Sequence, residues 1–242
     1  MTRPRSPIAI VLCQASTGIA TVRSLTAAGI TVHAFILSAS DPIKTSRRCV
    51  KIDCTGITDD EALIEFLIRH SASQESPPVV FPCSDAHALL LARNAAALAA
   101  NCRISTTSFA DLQSIISKNE LYCAAESAGI EIVPHLVEPG LEQLTSWSAD
   151  NEAPYLLKPF YEAIPTKSIP GKNLTLGSRE DLLSHVAHHG ARSIVVQRVL
   201  AGGDGHIFDC YGYRDRHGRI VALASHRRWR QHPPNFGATS MG

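Results

Sequence analysis

Two segments about forty residues apart constrain the fold of this chain more than any other feature of its sequence. The first, Tyr155–Pro159, predicts a buried strand that ends at a proline, which cannot donate to a sheet ladder. Lys158 stands just before that proline, where its charge suits phosphate oxygens. The second, Val195–Asp204, predicts a buried strand running into a glycine-containing turn, whose backbone groups can pair with the edge of a flat base. Together the two segments indicate a nucleotide held between two pieces of sheet.

Composition narrows the class of protein. The 242 residues suffice for one large domain or two smaller ones, and a chain that is 45% hydrophobic and 19% charged is typical of globular proteins. The formal net charge of +1 does not favour nucleic acid or an acidic membrane as a partner. Seven cysteines without zinc-ligand spacing are typical of reduced thiols, so we expect a cytoplasmic protein with no metal held by cysteine.

The first 110 residues alternate predicted strands with predicted helices. The strands cover residues 8–12, 31–37, 50–53 and 79–81. A turn is predicted at Gln14–Gly18, a capping box at Thr58–Glu61, and a capped helix from Ser84 to Ala100. This alternation predicts a parallel, doubly wound sheet, which binds ligands at the carboxyl ends of its strands. The Gln14–Gly18 segment lacks the GxGxxG pattern, so dinucleotide binding is disfavoured, and Gly18 could equally serve to start a helix.

The remainder of the chain changes pattern. A second capping box at Ser117–Glu120 begins a predicted helix that ends at Gly129, followed by a predicted strand at Gly129–Pro134. Further helices are predicted over residues 139–149 and 178–189, separated by the strand at 154–158 and a long polar loop, Phe160–Asn173. From Ser193 onward, strands at 193–200, 206–213 and 219–225 predict antiparallel pairing.

Five short motifs occur in an order that resembles a known family. They are Ser117-Lys118-Asn-Glu-Leu121, Gly129-Ile-Glu-Ile-Val-Pro134, Leu157-Lys158-Pro159, Gln197-Arg-Val-Leu200 and Gly203-Asp204. In this order they resemble the landmarks of ATP-grasp carboxylate–amine ligases, and the tail Arg227–Gly237 resembles the D-aspartate-ligase-like members of that superfamily. The resemblance implies an α/β fold with a Rossmann-like pre-ATP-grasp parallel-sheet domain over residues 1–110. A partial ATP-grasp α+β domain over 111–242 would follow, with an antiparallel lid at about 159–230.

The same resemblance implies roles for individual residues. Lys118 and Lys158 would hold the phosphates of ATP, and Asp204 would contact the ribose hydroxyls. Gln197 would contact adenine, as would Arg198 and Leu200 through their backbone. Phe160–Asn173 would be a flap over the triphosphate. Four further cations are assigned to phosphate or substrate on weaker grounds: Lys167, Lys172, Arg228 and Arg230. Mg²⁺ is expected for the family, together with a small carboxylate and an amine as substrates.

Each of these residues also has a plainer interpretation that the sequence leaves open. Lys158 could be a solvated strand end, Lys118 an ordinary first-turn residue, and Gln197 a satisfied core polar group. Asp204 is common in turns, and the arginines could lie on a solvated strand face.

The sequence departs from the family in two respects. The Phe160–Asn173 loop contains a single glycine, and no Glu-x-Asn segment of the kind that binds Mg²⁺ occurs before Gly242. The chain therefore resembles a fragment, a split-gene half completed by a C-terminal half on another chain, or a degenerate copy, and alone it is expected to lack turnover. Two functions stay open: the ATP-binding part of a ligase, or a non-catalytic nucleotide- or metabolite-binding module.

Overall fold

The computed structural model describes residues 7–161, 166, 168–169, 173–232 and 238–241. Its contacts divide the chain into two compact units, Met1–Leu121 and Tyr122–Gly242. The boundary near residue 110 between the pre-ATP-grasp domain and the partial ATP-grasp domain stays a prediction. Among the described residues, no helix combines the length and the apolar character that crossing a membrane requires.

The first unit contains a five-stranded parallel sheet. Its strands are β1 (Ala9–Leu12), β2 (Val32–Ile36), β3 (Val50–Asp53), β4 (Val79–Pro82) and β5 (Arg103–Ile104), in the order β3-β2-β1-β4-β5. The helices are α1 (Ala15–Ala27), α2 (Asp60–Ala72), α3 (Asp85–Arg93), α4 (Ala95–Leu98) and α5 (Phe109–Ile116), and α6 (Lys118–Ser127) begins in this unit. The predicted doubly wound parallel sheet is confirmed.

Alternation along β1 explains why this sheet is buried on both faces. Ile10 and Leu12 belong to one apolar core with Phe35, whereas Ala9 and Val11 belong to a second core. Successive side chains of a strand point to opposite faces, so a continuous apolar run can fill a core on each side. The short apolar runs of the sequence therefore predict central parallel strands correctly.

Three local predictions in this unit need correction. The predicted Gln14–Gly18 turn is instead the start of α1, because the carboxylate of Asp41 accepts a hydrogen bond from the Ala15 N–H at 3.0 Å. The cap of α2 is Asp59 rather than Thr58, since its Oδ1 accepts from the Ala62 N–H at 2.8 Å. The Ser84 cap is confirmed, but α3 ends at Arg93 rather than continuing to Ala100.

The second unit is built mainly from antiparallel pairs. Strands β6 (His135–Val137), β7 (Tyr155–Pro159), β8 (Leu174–Leu176) and β9 (Ile194–Arg198) form one sheet in the order β6-β9-β7-β8. Helices α7 (Leu141–Asp150) and α8 (Arg179–His189) accompany it, and their residues Leu144, Leu182 and Val186 share a core with Tyr155 and Leu157. The predicted strand at Gly129–Pro134 is wrong, because the chain pairs with β9 only from His135 onward.

A separate hairpin follows this sheet. Among the described residues, strands β10 (Phe208–Arg214) and β11 (Ile220–Arg227) pair only with each other, and β12 (Arg230–His232) pairs with β13 (Ala238–Met241). Large apolar side chains of the hairpin are exposed on both of its faces: Phe208, Tyr211, Tyr213, Ile220, Val221 and Leu223. An isolated two-stranded sheet is marginally stable at best. The exposed apolar side chains of this hairpin therefore form a surface suited to contact with another protein.

A pair of histidines in the first unit predicts a pH-dependent stability. His33 Nδ1 lies 2.9 Å from His70 Nε2, and burial lowers the pKa of both rings, with the neighbouring His70 lowering that of His33 further. A base whose pKa is lowered in the folded state binds more protons when unfolded. The free energy of unfolding should therefore fall as the pH drops through the unfolded value of 6.5.

Denaturant titrations at a series of pH values across this range would measure that fall. His70→Gln should reduce the dependence of the free energy of unfolding on pH, because the substitution removes one titrating ring and the charged neighbour of His33. His188→Gln, at an exposed position of α8, is the matched control and should keep the wild-type slope. Equal slopes in wild type and His70→Gln would contradict the prediction.

Candidate functional site

A cavity of about 300 Å³ lies in the second unit and is lined by residues of β7 and β9 and of the chain that follows β9. Its lining includes three residues that the sequence singled out, Lys158, Gln197 and Leu200. It also includes Val133, His206 and Gln231, to which the sequence analysis assigned no individual role. Its volume is at the lower end of the range typical of small-molecule pockets.

Strand pairing explains why Lys158 and Gln197 meet in this cavity. Leu156 of β7 stands directly opposite Gln197 of β9, so the two side chains share a face of the sheet. Lys158 lies two residues after Leu156 and therefore projects from that same face. The antiparallel register thus brings a cation and a carboxamide together from positions far apart in sequence.

Gln197 is held on one side by a tyrosine. The side chain of Gln197 is buried, and its Oε1 accepts a hydrogen bond from the Tyr122 hydroxyl at 3.1 Å. The Tyr122 ring contacts the His135 ring edge to face, with centroids 4.8 Å apart. Burial raises the pKa of Tyr122, which keeps the phenol protonated and able to donate.

The chain beyond Gln197 turns away from the sheet along the cavity. The Arg198 N–H donates to the Pro134 carbonyl at 3.2 Å, while the Arg198 side chain is exposed. Leu200 is 57% exposed at the cavity rim. Gly202 has φ +136°, a conformation that favours glycine, and a 3₁₀ turn at Asp204–His206 follows. The predicted backbone contacts of Arg198 and Leu200 with adenine stay predictions, as does the role of Asp204, whose side chain lies outside the described atoms.

The two predicted arginines lie in different environments. Arg228 makes two hydrogen bonds to the Asp209 carboxylate, at 2.6 and 2.8 Å. These bonds to Arg228 hold the pKa of Asp209 below its usual value. Arg230 is exposed on β12, whereas its neighbour Gln231 is buried and lines the cavity. Neither arginine is among the residues that line the cavity, and their proposed contacts with phosphate or substrate stay predictions.

The remaining predicted cations lie elsewhere in the chain. Lys118 is the first residue of α6 and belongs to the first unit, where it is half-buried. Lys167 and Lys172 lie outside the described residues, as does most of the Phe160–Asn173 segment, for which the resemblance implies a flap. The phosphate roles of all three lysines stay predictions.

The described donor atoms of the cavity do not fit Mg²⁺. In the described part of the chain, no group of three or more His, Cys, Asp or Glu side chains could hold a metal ion. The polar side chains described in the lining come from lysine, glutamine and histidine, whereas Mg²⁺ prefers carboxylate and phosphate oxygens. The carboxylate of Asp209, which is not part of the lining, is bound by Arg228.

The parallel five-stranded sheet and the separate antiparallel sheets match the fold of the N-terminal part of several solved synthetases and ligases. Among solved structures, N5-carboxyaminoimidazole ribonucleotide synthetase from Thermus thermophilus matches with a TM-score of 0.63 at 16% identity, over 92% of this chain and 55% of that chain. The L-amino acid ligase from Bacillus licheniformis matches with a TM-score of 0.62 at 15% identity, over 98% of this chain and 54% of that chain.

A third match is the carboxyaminoimidazole ribonucleotide synthase from Aspergillus clavatus, solved in complex with ATP. Its TM-score is 0.58 at 16% identity, over 91% of this chain and 52% of that chain. The chain thus spans about half the length of the solved structures it matches, and at these identities the similarity establishes the fold alone. No family model matches the chain, and no curated protein matches it.

Proposed function

We propose that the chain is the ATP-binding part of an ATP-dependent carboxylate–amine ligase that acts through an acyl-phosphate intermediate. The observation that carries this proposal is the meeting of Lys158, Gln197 and Leu200 in one cavity, within a fold shared with ATP-grasp ligases. A cytoplasmic location is part of the proposal and is supported by seven free cysteines.

In the proposed reaction, a carboxylate oxygen of the substrate attacks the γ-phosphorus of ATP. The bond from that phosphorus to the β,γ-bridging oxygen breaks, and ADP leaves with the electron pair. The amine nitrogen then attacks the acyl carbon, inorganic phosphate departs, and the nitrogen loses a proton. Phosphoryl transfer depends mainly on positioning and charge neutralisation, which is the contribution we assign to the Lys158 ammonium.

The proposal includes a partner for the exposed hairpin of β10 and β11. A C-terminal half, carried on another chain, would supply the carboxylates that bind Mg²⁺ and would cover the apolar faces of the hairpin. Charge supports this assignment. The described segment 208–232 carries six arginines but only two acidic residues, Asp209 and Asp215, each already bound to an arginine. An acidic partner surface would complement it.

The finer assignment to the D-aspartate-ligase-like group rests on the tail Arg227–Gly237, of which residues 233–237 lie outside the described structure. Under this proposal the substrates are a small carboxylate and an amine.

A second candidate function is a non-catalytic nucleotide- or metabolite-binding module. The described lining of the cavity favours it, because lysine, glutamine and histidine can hold a nucleotide but do not fit a catalytic Mg²⁺ ion. The two candidates share nucleotide binding and differ in turnover.

Calorimetric titration of the chain with ADP tests the nucleotide-binding function common to both candidates. Saturable binding at one site is expected, because the described lining of the cavity places the Lys158 cation beside the Gln197–Leu200 segment proposed to contact the base. Failure of ADP to bind at saturating concentration would rule out the ligase and the nucleotide-binding form of the module. Steady ADP release from ATP, measured with Mg²⁺, a panel of amino acids and the C-terminal half that the first candidate requires, then separates them, because only a ligase completed by that half turns over.

A further inference from the structure

The two polar atoms of the Gln197 carboxamide differ in their hydrogen bonding: the oxygen has a partner within the protein, whereas the nitrogen can donate to a ligand in the cavity. Its Oε1 accepts from the Tyr122 hydroxyl at 3.1 Å. Its Nε2 makes no hydrogen bond to any residue in the described part of the chain, and the side chain lines the cavity. Gln197 Nε2 is not among the fully buried side-chain atoms without a partner, so this donor is accessible from the cavity and a ligand acceptor there can bind it.

The partner of this carboxamide is itself held in place. The Tyr122 ring packs edge to face against His135, and His135 stands directly opposite Gln197 in the pairing of β6 with β9. His135 Nδ1 donates in turn to the Val133 carbonyl, 3.1 Å away. Tyr122 is therefore held by the His135 ring of β6 and by the Gln197 carboxamide of β9. Its hydroxyl in turn fixes the orientation of the Gln197 Oε1 atom.

We propose that Tyr122 is a positioning residue that directs the Nε2 donors of Gln197 onto a ring-nitrogen acceptor of the adenine base. This inference rests on the proposed function and adds to it a specificity device in the same cavity. Adenine presents such acceptors on its ring, and a donor held in one orientation selects for an acceptor at one place. Tyr122 touches Gln197 rather than the nucleotide and acts through it.

A double-mutant cycle on ADP affinity tests the positioning role. Gln197→Met removes the donor with little change of volume and should weaken ADP binding about tenfold, and Tyr122→Phe should weaken it about three- to tenfold. In the double variant, Tyr122→Phe should add nothing further, because its effect passes through Gln197. Additive losses would overturn the proposal, since they would mean that Tyr122 contributes independently of the amide.

Analogues of ADP in which one ring nitrogen is replaced by carbon test the contact itself. Of 1-deaza-, 3-deaza- and 7-deaza-ADP, one should bind the wild-type chain about tenfold more weakly than ADP does. That difference should disappear in Gln197→Met, a change that a purely structural role would not produce. Analogue affinities that change in parallel in both proteins would overturn the assignment.

Controls separate this inference from the proposed function. Tyr213→Phe, at an exposed position of the hairpin, should bind ADP as the wild type does, and melting curves should show that all variants are folded. If the wild type fails to bind ADP, both proposals fall. If it binds ADP and the affinity depends on Lys158 but not on Tyr122 or Gln197, only this inference falls.

Discussion

Lys158→Met is expected to weaken ADP binding by about ten- to hundredfold, the effect of removing a charged partner of phosphate, about 1.5–3 kcal/mol. The residue stands next to the proline that ends β7 and lines the cavity together with Gln197. Methionine keeps the apolar stem that packs along the sheet and removes only the ammonium group. The loss should be larger for ADP than for adenosine, which has no phosphate for the lysine to contact.

Isothermal titration of wild type and variant with ADP and with adenosine measures this difference. Arg192→Ala provides the matched control, because Arg192 is an exposed cation of the same unit that does not line the cavity. It should leave both affinities unchanged. The phosphate role of Lys158 would be abandoned if Lys158→Met bound ADP as tightly as the wild type or lost adenosine and ADP affinity equally.

Phe35→Ala is expected to destabilise the first unit by about 3–5 kcal/mol, a large part of the total stability of a typical domain. Phe35 is fully buried in the middle of β2. Its ring contacts Phe66 and His70 edge to face, with centroids 5.5 and 5.1 Å apart. Truncation would remove these contacts and leave a cavity that the surrounding strands and helix α2 fill only in part.

Urea denaturation, followed by circular dichroism, gives the change in the free energy of unfolding. Phe208→Ala serves as the control for the loss of a phenylalanine as such, because Phe208 is 69% exposed on the hairpin. Its cost should stay within about 1 kcal/mol, including its contact with Arg227. Comparable losses in the two variants would show that Phe35 is not the core residue described above.

Local patterns were sufficient to predict much of the architecture. The apolar runs that became β1, β2 and β4 predict buried parallel strands, and Ser84 and Ser178 predict helix starts, because burial and capping depend on neighbouring residues. The strands β7 and β9, which carry Lys158 and Gln197, were also predicted from sequence.

The errors occur where a contact distant in sequence decides the structure. Helix α1 begins at Ala15 because Asp41, which is 26 residues away, accepts its N–H. The sequence did not predict a site role for Tyr122, because its hydroxyl donates to Gln197, which is 75 residues away, and no local spacing encodes that contact. Gln231 reaches the cavity through the pairing of β12, which no turn or apolar pattern marked.

The exposed hairpin has a practical consequence through Trp229. Its indole is 62% exposed and stacks against Arg227 just beyond β11, whereas Trp147 is half-buried beside Tyr155 in the core of the same unit. Indole emission shifts to shorter wavelength when water is removed from around the ring. The chain has two tryptophans, so its intrinsic fluorescence comes mainly from the solvent-exposed Trp229 and the half-buried Trp147. The molecule thus carries a built-in optical reporter beside the face that a partner would cover, and mixing experiments require no added dye.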